Sequence, residues 1–96
     1  MTFADDVYKL TGKIPKGKVS TYKIIAEKLG TKAYRAVGNT LNKNRNKEVP
    51  CHRVIKMDGS VGGFAKGTKT KIKMLKKEGV EIKNNKIEKK FIFSFS

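Results

Sequence analysis

Apolar residues recur along this chain at spacings that belong to helices. Phe3, Val7, Leu10 and Ile14 stand at i, i+4, i+7 and i+11, which predicts a first helix with one inward face. Thr2 is a candidate N-cap, and Asp5 three residues on can close a capping box. Pro15-Lys16-Gly17 then breaks the helix. Ser20 or Thr21 can cap a second helix, in which Ile25, Ala26 and Leu29 face inward and which Gly30 ends. Gly30-Thr31-Lys32 leads tightly into a third helix through Tyr34, Val37 and Leu41, so that 21–43 reads as helix, turn, helix. Gly38 inside that helix costs about 1 kcal/mol relative to Ala, which a close approach to another backbone would explain.

The pattern changes at Asn44. Asn44-Arg45-Asn46-Lys47-Glu48 is polar and turn-like, and it leads into Val49-Pro50-Cys51-His52-Arg53-Val54-Ile55, which reads as a short buried turn and strand. Asp58-Gly59 and Gly62-Gly63 mark a loop or hairpin, after which Thr68 can cap a fourth helix with Ile72 and Leu75 inward. Gly79 ends it, with Val80 as a hydrophobic partner for its last turn. Val80-Glu81-Ile82-Lys83 and Lys86-Ile87-Glu88 alternate around Asn84-Asn85, the pattern of a small hairpin whose turn residues tolerate positive φ. Phe91-Ile92-Phe93-Ser94-Phe95 is apolar enough to dock on the body. The fold class expected is mainly α (α+β): a winged-helix-like helix-turn-helix domain with about four helices, a short active-site strand or turn and a small C-terminal β-hairpin. Residues 1–82 form the domain, and 83–96 its hairpin and tail.

Charge adds a partner to this picture. Lys and Arg outnumber Asp and Glu by 23 to 8, a formal net charge of +15, which is the footprint of a nucleic-acid binder. A Lys-rich solvated surface of a heat-adapted protein is the other reading of the same count. No apolar run approaches membrane-spanning length and the N-terminus lacks the order of a secretory signal, so no membrane partner and a cytoplasmic location, nucleoid-associated in a prokaryote, are expected.

One Cys and one His leave no internal disulfide and no conventional zinc site, so no metal and no cofactor are expected. What remains is a lone thiol whose neighbour in sequence is the only His. A neutral thiol is a poor nucleophile and needs a base or a positive field to become a thiolate. Adjacent residues on an extended segment point to opposite sides, so His52 serves Cys51 only if the chain turns there or a water relays the proton. A buried structural thiol beside a satisfied polar neighbour is the alternative.

Pro50-Cys51-His52-Arg53-Val54-Ile55 resembles the active-site signature of the O6-alkylguanine-DNA alkyltransferases, and Arg35-Ala36-Val37-Gly38 resembles that family's DNA-recognition helix. Val19-Ser20-Thr21-Tyr22 with Ile25-Ala26, the loop Val61-Gly62-Gly63-Phe64 and Leu75-Lys76-Lys77-Glu78-Gly79 match in the same order. The resemblance covers about residues 3–82. It implies DNA repair by stoichiometric, single-turnover transfer of an alkyl group from O6-alkylguanine, flipped out of the duplex, to Cys51. The partner would be double-stranded DNA held through its minor groove with little sequence preference, by a protein acting as a monomer.

The same resemblance implies roles for individual residues. Cys51 is the nucleophile, activated by His52, Glu78 and a water, while Tyr22 neutralises guanine N3 and Asn44 braces the turn before the active site. Arg35 fills the space the base vacates, with Thr21, Tyr22, Ala36, Gly38 and Leu41 at the DNA. The purine pocket is formed by Val54, Gly62, Gly63, Phe64, Ala65 and Lys71, with main-chain carbonyls near Cys51 and Val54 accepting from the exocyclic amine and the Ala65 amide donating to O6.

Three departures qualify the match. The N-terminal domain usual in relatives is expected to be absent, the segment NRNKEV replaces one rich in Pro and Ile, and Phe64 and Ala65 stand where hydroxyl side chains are frequent. Two other functions fit parts of the pattern. An alkyltransferase-like protein would bind and signal the lesion without repairing it, but such proteins replace the nucleophilic Cys. A small winged-helix DNA-binding protein without catalysis would show sequence preference and no covalent product.

Overall fold

The computed structural model describes residues 2–63 and 67–95. Helix α1 spans Phe3–Thr11 and opens on the expected capping box: the Asp5 amide donates to Thr2 Oγ1 and the Thr2 amide to Asp5 Oδ2, both at 3.2 Å. Val7 and Leu10 are buried, but the inward face is shorter than the spacing predicts. Phe3 is 39% exposed, and Ile14, fully buried, lies past the helix end. The helix stops early because Lys13 and Ile14 donate to the carbonyls of Leu10 and Thr11, tightening the chain into a turn.

Helix α2 spans Tyr22–Lys28, capped by Thr21, whose Oγ1 accepts from the Ile24 amide at 3.0 Å. Its exit is a Schellman turn: Gly30 at φ +76° donates to Glu27 O and Thr31 donates to Ala26 O, each at 3.0 Å. Helix α3, Tyr34–Asn42, follows, with Thr31 Oγ1 accepting from the Ala33 amide at 3.2 Å. The two form the expected helix-turn-helix, packed on α1 around Val7, Leu10, Ile14, Ile25, Ala26, Val37 and Leu41, with Cys51 and Val54 completing this first core.

A two-residue parallel pair joins the halves of the molecule: β1, Ser20–Thr21, lies beside β2, Val54–Ile55, with Ser20 opposite Val54 and Thr21 opposite Ile55. Below it a second core gathers Val19, Ile55, Val61, Leu75, Val80 and Ile87. Helix α4, Thr68–Lys77, supplies Leu75 and is closed by a second Schellman turn, Gly79 N–H to Lys76 O and Val80 N–H to Leu75 O, both 3.0 Å. Thr68 does not cap it. The cap position is Gly67, at φ +96°, and the Thr68 hydroxyl reaches the Gly62 carbonyl at 3.4 Å instead.

The C-terminal hairpin is reduced to its turn. Asn84 and Asn85 take the predicted positive φ, +52° and +64°, and Lys83 and Lys86 exchange two backbone hydrogen bonds of 2.9 Å. Beyond that the second arm pairs elsewhere: Ile87 donates to Gly59 O and Val61 to Asn85 O, because burying Ile87 in the second core brings it beside Val61. The tail docks as expected, with Phe91 and Phe93 bracketing Val19 through bonds of 2.8 and 2.7 Å and Phe93 and Phe95 packing edge-to-face on the first core. Among the described residues no helix is long and apolar enough to cross a membrane.

Candidate active site

Pro50 fixes the chain direction into a single 3₁₀ turn over Cys51–Arg53, closed by Arg53 N–H to Pro50 O at 2.9 Å. The turn removes the strand-like alternation that would have sent Cys51 and His52 to opposite sides. Cys51 is 9% exposed, at the boundary between the first core and solvent. Its Sγ accepts from Asn44 Nδ2 at 2.9 Å, the second hydrogen of that amide goes to Asn46 O at 2.9 Å, and Asn44 Oδ1 takes the Asn46 N–H at 3.0 Å. The altered NRNKEV segment therefore keeps an Asn that ties the loop to itself and the loop to the sulfur.

Burial pushes the Cys51 thiol up from its ordinary range, against the Asn44 hydrogen bond, a backbone hydrogen bond and the charge of Lys71, which all favour the thiolate. The resting group is the thiol. His52 makes no direct hydrogen bond to it among the described residues. Its Nε2 lies 3.0 Å from Glu78 Oε2, at the C-cap of α4. Burial lowers the His52 pKa, opposed by Glu78 and assisted by the charges of Arg53 and Lys71. Burial would raise the Glu78 carboxyl, but hydrogen bonds from Arg53 and His52 outweigh it and hold the group below the usual range.

Arg53 is the residue that motif matching left without a role. Its Nε donates to Glu78 Oε1 at 2.9 Å and its Nη2 to Glu78 Oε2 at 2.7 Å, while Nη1 reaches the Ile14 carbonyl at 2.8 Å. A guanidinium two residues from a candidate nucleophile, with one Glu matched nearby, was the available signal.

Lys71 has no exposed surface. Its Nζ donates to the carbonyls of Val54 (2.6 Å) and Gly63 (3.1 Å) and stands 5.8 Å from the centre of the Tyr22 ring. Burial pulls its pKa from 10.5 down to about 8. Tyr22 is half-buried, and burial first, then the charge of Cys51, raises its phenol. The two carbonyls assigned to a purine amine are already engaged, Val54 O by Lys71 and Cys51 O by the Val54 N–H. Gly62, at φ +77°, has Lys71 Nζ and Lys56 beside it, and Gly63 is exposed. Phe64 and Ala65 lie outside the described residues.

On α3, Arg35 is exposed in the first turn and makes no side-chain hydrogen bond or ion pair among the described residues, and Ala36 is half-buried beside it. Gly38 departs from expectation: what approaches it is the Tyr22 ring, at ordinary contact distance from where a Cβ would stand, and no backbone. Leu41 is a core residue at 4% exposure, one turn from buried Val37 on the same face. Thr21 is likewise buried, its hydroxyl spent on capping α2.

A cavity of about 820 Å³ opens beside the sulfur, with Leu41, Asn44, Cys51, His52, Met74 and Glu78 in its wall, a size within the range of about 300–1,000 Å³ typical of ligand sites. Tyr22, Val54, Gly62, Gly63 and Lys71 do not line it. The structure thus brings Cys51, His52, Glu78 and Asn44 to one cavity and gathers Tyr22, Val54, Gly63 and Lys71 around the buried ammonium.

This chain is 45% identical over 86 residues to a bifunctional methyltransferase/endonuclease of Picrophilus torridus, covering 88% of this chain and 29% of that protein. It is 51% identical over 81 residues to a methylated-DNA--protein-cysteine methyltransferase of Saccharolobus islandicus, covering 83% and 52%. The chain therefore spans about half or less of the curated relatives it matches. Among solved structures, S. pombe Atl1 in complex with DNA containing O6-carboxymethylguanine superposes with a TM-score of 0.87 at 31% identity, covering 97% of this chain and 95% of that one. Residues 2–80 match the family described as 6-O-methylguanine DNA methyltransferase, DNA binding domain, and the chain belongs to that family.

Proposed function

We propose that the protein repairs O6-alkylguanine in double-stranded DNA by moving the alkyl group to Cys51, once per molecule. Arg35, exposed at the start of α3, takes the place of the flipped base in the stack. The Cys51 proton passes through a water to His52, and Glu78 stabilises the imidazolium. Sγ then forms a bond to the alkyl carbon as the carbon–O6 bond breaks, and the electron pair leaves with guanine. Tyr22 O–H donates to N3 to disperse that charge. Lys71, near both Tyr22 and Cys51, adds a positive field that favours the thiolate and the leaving anion alike. The thioether product does not hydrolyse readily, so the enzyme does not turn over.

One observation carries this reading: the only thiol of the chain lines a cavity of about 820 Å³ together with a His52–Glu78 pair held at 3.0 Å. The test is intact-protein mass spectrometry after mixing with a duplex containing O6-methylguanine, with Cys51→Ser as control. A gain of one methylene on the wild type alone is expected. Retention of the lesion with no gain in mass would instead establish a lesion-binding protein, a reading that the superposition on S. pombe Atl1 in complex with damaged DNA keeps in view. Affinity should fall steeply with salt, since each phosphate contact releases counterions. Arg35→Ala should impair base extrusion, read by a fluorescent base analogue, more than Lys-to-Ala changes elsewhere.

A further inference from the structure

Glu78 has two partners competing for one charge. His52 Nε2 and Arg53 Nη2 both address Oε2, at 3.0 and 2.7 Å, and Arg53 Nε holds Oε1 at 2.9 Å. An isolated carboxylate at that distance would draw a proton onto the imidazole and hold it there. A His52 that is already protonated cannot accept the Cys51 proton. Burial of the ring offsets Glu78 first, and a group that neutralises the carboxylate while leaving it able to orient the ring adds to that.

We propose that Arg53 is the positioning residue that keeps His52 a neutral base, by occupying Glu78 in a two-point fork and fixing the imidazole as its Nε2–H tautomer with Nδ1 left as the acceptor. The geometry supports each part. The fork is bidentate, so the guanidinium cancels the carboxylate charge without displacing His52 from Oε2. Glu78 is ionised and can only accept, so the hydrogen in the 3.0 Å contact belongs to Nε2. Arg53 cannot slip away, because its remaining Nη1 is anchored on Ile14 O at 2.8 Å, behind the end of α1.

The other charged groups facing this cluster are Lys71 and the Cys51 thiol, and around the cavity rim Arg45, Lys47 and Glu48. Lys71 opposes imidazole protonation as Arg53 does. None of these makes a hydrogen bond to the ring or to Glu78 among the described residues, which singles out Arg53 as the group that acts through Glu78.

The inference rests on the proposed chemistry for its purpose, but its test does not use it. His52 is the only histidine, so a ¹H–¹⁵N imidazole NMR titration of the intact protein is unambiguous. In the wild type the Nε2–H tautomer and a midpoint below the usual imidazole range are expected, and an Nδ1–H tautomer would overturn the proposal with no variant needed. In Arg53→Gln the midpoint should rise by at least about one pH unit. Arg53→Lys, which keeps the charge, should stay near the wild type, and adding Glu78→Gln to Arg53→Gln should bring the midpoint back down. A purely structural Arg53 would lower melting temperature in both single variants and leave the midpoint where it was, a result that also refutes the proposal. Failure of alkyl transfer with these titrations intact would count against the function alone.

Discussion

Replacing Lys71 by Met in a Cys51→Ser background is expected to remove a stability gain that the parent shows between neutral pH and pH 10. Lys71 has no exposed surface and burial brings its pKa from 10.5 to about 8. For a base whose folded pKa lies below its unfolded one, the unfolded chain binds more protons in the window between them, so stability rises with pH across it. Below pH 8 both states carry the charge and the whole penalty of burying it is present, about 3 kcal/mol for the gap between 10.5 and 8. By pH 10 about 2.5 kcal/mol of that penalty is gone. Met has similar length and no titration, and its own cost, two carbonyls deprived of Nζ at about 1–3 kcal/mol each, does not vary with pH. The Ser background removes the thiol, whose charge would otherwise act on Lys71.

The assay is urea unfolding followed by circular dichroism at pH 7, 8, 9 and 10 at constant ionic strength. The difference between parent and Lys71→Met should shift by about 2.5 kcal/mol in favour of the parent from the lowest pH to the highest. Parallel stabilities would mean that the Val54 and Gly63 carbonyls and the Tyr22 ring keep the ammonium charged throughout, and the reasoning from burial would fail.

Other substitutions test single contacts. Asn44→Ala removes the only side-chain hydrogen bond to Sγ found among the described residues, so the thiol midpoint, read by ultraviolet thiolate absorbance, should rise further and iodoacetamide should react more slowly at pH 8; an unchanged midpoint would refute this. Thr21→Ala uncaps α2 and should cost about 1 kcal/mol in urea unfolding, most of it recovered by Thr21→Ser. Gly79→Ala places a Cβ at φ +96° in the Schellman turn beside Glu78 and should cost about 1–2 kcal/mol; no loss of melting temperature would show that the turn can relax.

Much of the site was legible because its parts are local or conspicuous. Cys51 and His52 adjoin, Pro50 announces the turn, and Glu78 stands before a glycine that closes a helix. What spacing could not reveal is who pays attention to whom across the chain. Arg53 reaches Glu78 and Ile14, Lys71 reaches Val54 and Gly63, and none of these partners is signalled by periodicity. That Leu41 and Thr21 are buried was hidden for a related reason: the face a residue shows depends on which helices pack against its own, and on α3 the Val37–Leu41 stripe turned inward.

The sequence by itself determined the capping box at Thr2, the helix-turn-helix with its glycine exit, the Asn84-Asn85 turn and the docking tail, since each is decided by backbone preferences and apolar spacing within a few residues. Tertiary structure alone decided that Ser20 pairs with Val54, that Ile87 leaves its hairpin for Gly59 and Val61, and that Lys71 is sealed inside. These are contacts between distant segments, set by how two small cores close on each other, and no local pattern carries that information.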